Sequence, residues 1–78
     1  MATKKEVLEQ AARGEGCLGR AADDEPVFVL RAQDMLSPEI IDEWAERAEQ
    51  ACCLAAKVAE ARELANQMVH WPGRKFPD

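Results

Sequence analysis

At 78 residues, 47% of them hydrophobic and 32% charged, the chain is sized for one domain and reads as folded and soluble rather than disordered. A chain this short buries only about 60% of the surface its unfolded form exposes, so association with further copies would supply core that it lacks. A net charge of −5 argues against extended DNA or RNA as a partner, because duplex binding rests on neutralising many phosphates; a small anion needs only one basic pocket.

The first element is a helix over residues 3–13. Thr3-Lys4-Lys5-Glu6 has the capping-box pattern, in which the hydroxyl and the carboxylate each satisfy a free backbone N–H. Val7, Leu8, Ala11 and Ala12 follow at helical spacing, and Gly14 can supply the left-handed residue that ends the helix. Residues 14–25 read as a glycine-bearing, acidic loop: GEGCLGR bends easily, and Asp23-Asp24-Glu25 suits a solvated surface.

Pro26 leads into Val27-Phe28-Val29-Leu30, whose β-branched and aromatic residues favour an extended or β segment over residues 26–34. A lone strand must be covered by helices or paired with another subunit, and both alternatives imply burial. Ser37-Pro38 then opens the main helical region, with the hydroxyl as N-cap and proline at the first helical position. Ile40, Ile41, Trp44, Ala45 and Ala48 form one apolar stripe; Leu54, Val58, Ala61, Ala65 and Met68 form a second, out of phase with the first. The phase changes near Cys52 and Cys53, so residues 37–71 are expected to fold as a helical hairpin or a kinked helix. An unbroken helix would reach about 50 Å, longer than so small a domain can cover. Residues 72–78 form a basic, aromatic tail, in which contacts of Trp71 and Phe76 are expected to hold Arg74-Lys75 in place. The expected fold class is mainly α, with one short extended segment and an oligomeric core.

Catalysis finds little footing. Ser37 is the only serine and is already needed at a helix start, His70 is the only histidine, and no paired general acid and base emerges. Cys17, Cys52 and Cys53 lack the spacing of metal-ligand pairs and read as small buried thiols, so neither a metal nor a cofactor is expected. No apolar stretch is long enough to cross a bilayer, and MATKKEVLEQ lacks the centre of a signal peptide; no membrane partner and a cytoplasmic location are expected.

Arg31, Gln33 and Asp34 stand apart, because they sit between two segments that should pack. Arg31 offers a planar fork of donors suited to phosphate, Gln33 both donor and acceptor for a base edge or sugar, and Asp34 an acceptor for a base amine. The alternative is structural, with Arg31 paired to an acidic side chain and Asp34 closing a local turn. Gly16-Cys17-Leu18-Gly19-Arg20 could bring N–H groups and an arginine near an anion, but without the Lys-Ser/Thr of a P-loop.

The order of a short helix, EPVFVLRAQD, LSPE opening a helical hairpin and a basic tail resembles the small phage anti-CBASS proteins that act as cyclic-oligonucleotide sponges. The specific part of the likeness is residues 25–38. The resemblance implies a compact, largely helical homohexamer that sequesters cyclic di- and trinucleotide immune signals without cleaving them, in the host cytoplasm. It places Arg31 at the phosphate-holding position and Gln33 at the polar position two residues later. It also implies an N-terminal aromatic ring that stacks on a base, yet nothing aromatic precedes Phe28; Leu18, Arg20 or a Trp71 from another subunit are the candidates to replace it. A further arginine at a threefold axis corresponds to Arg74, with Arg62 behind it. The rival, from a different class, is a helical module that grips a host or phage protein through an apolar face around Trp44 or Trp71.

Overall fold

The structure, a computed structural model, describes residues 2–77. Thr3 opens helix α1 (Lys4–Ala12) by accepting the Glu6 N–H on its hydroxyl at 3.2 Å. The helix ends in a Schellman motif: Glu15 N–H donates to the Gln10 carbonyl at 2.8 Å and Gly14 N–H to Ala11 at 3.0 Å, with Gly14 at φ +70°.

The region expected to be a loop instead contains a five-residue helix, α2 (Gly16–Arg20). Its glycines permit close packing. A Cβ on Gly19 would lie 2.9 Å from the Gly14 carbonyl carbon and 3.1 Å from the Ala11 Cα, so only glycine lets α2 lie this close to α1. Tertiary packing here overrides a poor helix propensity. Arg20 closes the short helix by donating from Nε to the Gly16 carbonyl at 3.2 Å.

The expected strand does not form: the described residues contain no strand, and residues 26–31 run without ladder partners. Phe28 is 85% exposed and Val29 74%, so the burial expected of this run is not met within one chain. Among the described residues no neighbouring strand lies beside it. Pairing is confined to one isolated parallel bridge, Asp34 with Lys75, in which Lys75 N–H donates to Gln33 and Met35 N–H to Lys75, both at 2.8 Å.

Helices α3 (Ser37–Gln50) and α4 (Ala55–Val69) form the hairpin. Ser37 is the first helical residue rather than the cap, and its hydroxyl is buried without a protein partner. Asp34 closes the start instead: its carboxylate accepts the Leu36 N–H at 2.8 Å and its carbonyl the Ser37 N–H at 3.1 Å. Such an Asx turn satisfies donors that the helix itself cannot.

The turn falls where the stripes change phase. Cys53 N–H donates to Ala48 at 2.9 Å and Cys52 N–H to Glu49 at 3.0 Å, the same terminator as in α1, but with Cys52 at φ +61° where α1 uses glycine. The hairpin seam is made of small residues. Ala45, Ala48 and Val58 form a buried cluster joined by half-buried Ala61, and Ala65 and Met68 are buried farther along α4. Ile40, Trp44 and Leu54, expected in the stripes, are exposed. Arg62 ties α4 to α3, donating from Nη1 to Glu49 at 2.6 Å and from Nη2 to Glu46 at 3.2 Å.

Neither α1 nor α2 packs against α3 or α4. The accessible surface is 6325 Å², against about 4,700 Å² expected of a compact monomer of this mass. The radius of gyration is 13.3 Å, against about 11.5 Å for a compact domain of this length. All three cysteines are exposed, correcting the expectation of buried thiols.

Candidate anion-binding cleft

The tail returns to the start of α3 through Arg74. Its partly buried guanidinium donates from Nε to the Ala32 carbonyl and from Nη2 to the Met35 carbonyl, both at 3.2 Å. With the Asp34–Lys75 bridge, these bonds fix the tail against residues 32–35. The aromatic contacts expected to hold it are not what does so, since Trp71 and Phe76 are both largely exposed.

Between the two strips of backbone lies an open cleft of about 200 Å³, lined by Arg31, Gln33, Asp34, Lys75, Phe76 and Pro77. Arg31, Gln33 and Asp34 border one concavity. Arg31 is exposed; its carbonyl accepts the Asp34 N–H at 3.0 Å, while its guanidinium makes no hydrogen bond or ion pair among the described residues. Gln33 gives its carbonyl to the Lys75 N–H, and its half-buried side chain borders the cleft. The Asp34 carboxylate is engaged with Leu36, which favours the turn-forming reading of that residue.

Three other expected residues take different places. Arg74 adjoins the cleft, but its donors are turned to backbone carbonyls, so it builds the site rather than offering a free charge. Leu18 and Arg20 lie on α2 and do not line the cleft. The residue that sequence reasoning missed is Phe76. Its signal was the interleaving of base and ring in Arg74-Lys75-Phe76, a pattern common where proteins meet nucleotides.

A second, larger hollow of about 470 Å³ is bordered by Glu49, Cys53, Ala55, Val58, Ala59 and Arg62. It suits phosphate poorly, because the Arg62 charge is already matched by two carboxylates. Donation of a hydrogen bond to Glu49 raises the Arg62 pKa above its ordinary value, desolvation opposes the rise, and the charges of Glu49, Glu46 and Asp42 reinforce it. Among the described residues, no cluster of three His, Cys, Asp or Glu side chains could hold a metal ion, and no helix is long and apolar enough to cross a membrane. Comparison with protein families, with curated proteins and with solved structures finds no match for the chain.

Proposed function

We propose that several copies of this chain assemble into a non-catalytic binder that captures small cyclic oligonucleotides, sequestering cyclic di- and trinucleotide immune signals as the phage sponges it resembles do. The observation that carries this reading is the unpaired Arg31 guanidinium in the same cleft as the Gln33 side chain. A planar cation with no internal partner is ready for bidentate contact with a phosphodiester. A cyclic trinucleotide presents equivalent phosphates, and a threefold assembly would offer one Arg31 and one Gln33 to each.

The excess surface supports assembly. Val27, Phe28, Val29, Ile40, Trp44 and Leu54 are exposed in the single chain, and apolar patches of this kind mark interfaces. Six copies are expected, as in the resembled proteins, and their contacts would form the oligomeric core and cover the extended run.

Calorimetric titration with a panel of cyclic di- and trinucleotides should release heat with at least one of them, and Arg31→Ala should remove that binding while the particle keeps its size. An intact fold that gives no heat with any member of the panel rejects the reading. A second reading has its own support: exposed Ile40 and Trp44 on α3 could grip a host or phage protein. A monomer by light scattering, free of co-purifying nucleotide by absorbance, would favour that alternative.

A further inference from the structure

A cleft that takes a nucleotide needs a flat surface for the base as well as a charge for the phosphate. The region before Phe28 contains no aromatic residue, and Leu18 and Arg20 lie outside the cleft. The tail provides a ring. Phe76 borders the cleft together with Arg31 and is 68% exposed, so its side chain is largely accessible to a ligand.

Its backbone is well held for a residue so near the end of the chain. Lys75, immediately before it, is bonded through both its N–H and its carbonyl to residues 33 and 35. Arg74 clamps the same turn from the other side, and Pro77 restricts the conformations open to Phe76 itself. An exposed phenyl ring on a fixed backbone loses little freedom when a base stacks on it.

We infer that Phe76 is the base-stacking platform of the cleft, with the phosphate next to that base lying on Arg31. The inference deepens the cyclic-nucleotide reading and rests on it. Size sets the ligand portion taken. At about 200 Å³ the cleft is smaller than the roughly 300–1,000 Å³ of pockets that enclose drug-sized molecules. It therefore takes one base and its phosphate, and the remainder of a cyclic dinucleotide extends toward a second copy of the chain.

The test compares the full chain with Phe76→Leu and Phe76→Trp, titrating cyclic di-AMP, cyclic di-GMP and cyclic GMP-AMP and following particle size by light scattering. Leucine preserves apolar bulk without a π face; tryptophan preserves the face. Phe76→Leu should weaken the best-bound dinucleotide by about tenfold or more. Phe76→Trp should keep the affinity and show indole emission that is quenched on saturation beyond any change in the wild type. Wild-type affinity in Phe76→Leu, or equal loss in both variants, overturns the stacking role while the cyclic-nucleotide reading stands. If the wild type binds none of the three dinucleotides, this inference falls; the cyclic-nucleotide reading falls with it only if cyclic trinucleotides, titrated in the same way, also give no heat.

Discussion

Along the hairpin, alanines and one valine close a narrow seam, and each helix satisfies its own backbone, so a single facing partner is enough to bury the stripe. Residues 26–31 hold larger apolar side chains, yet Val27, Phe28 and Val29 stay exposed and only Leu30 is half-buried, because an extended backbone needs neighbours on its edges and the chain supplies only the bridge at Asp34. The difference teaches that apolar content alone does not decide what one chain buries. Backbone pairing matters as well, and the run that lacks it stays largely open to solvent.

The comparison can be broken hardest at the seam. Val58 is 3% exposed, and Val58→Asp would place an uncompensated charge between α3 and α4 at a cost of about 3–5 kcal/mol. That is most of the stability of so small a domain. Far-ultraviolet circular dichroism should show the helices lost or melting far lower.

A smaller effect is expected at the other region. Arg74→Ala removes both bonds to the Ala32 and Met35 carbonyls, a loss of about 1.5–3 kcal/mol in local stability. The Met35 and Lys75 amides should exchange faster with solvent, while the Cys53 amide at the hairpin turn keeps its protection.

Cys52→Gly sharpens the comparison in the opposite direction. The φ of +61° at this position is strained for any residue with a Cβ, so glycine should stabilise the hairpin by about 0.5–1 kcal/mol, read as a higher urea midpoint. The smallest change is expected from Arg62→Ala, which removes the exposed bridges to Glu46 and Glu49. Its melting temperature should fall slightly at low salt and match the wild type at high salt.

How much of this was legible depends on the range of the cause. The first helix was readable because Thr3, Glu6 and Gly14 act within a few residues of one another, and the hairpin turn because two 3.6-residue stripes lose phase at a definite place. Helix α2 was not readable: its glycines argue for a loop until Gly19 is seen against Gly14 and Ala11. The cluster Arg31-Ala32-Gln33-Asp34 was visible as chemistry. Its companions were not, since Arg74 reaches Ala32 across 42 positions and no periodicity encodes that return. Leu18 and Arg20 entered through the glycine-bearing loop and as base-covering candidates through the resemblance, and neither lines the cleft. Ser37 looked like a helix cap by composition; the Asp34 carboxylate, three residues earlier, took the role and left the hydroxyl inside.

The cleft lies at the start of α3, and the Cys52–Cys53 turn lies beyond its end, fourteen residues away, or about 20 Å along the axis. Both thiols are open to reagents. With Cys17 and Cys53 changed to serine, Cys52 becomes a single attachment point at the pole remote from the cleft. A maleimide dye or a sensor chip coupled there leaves the cleft of the chain unobstructed.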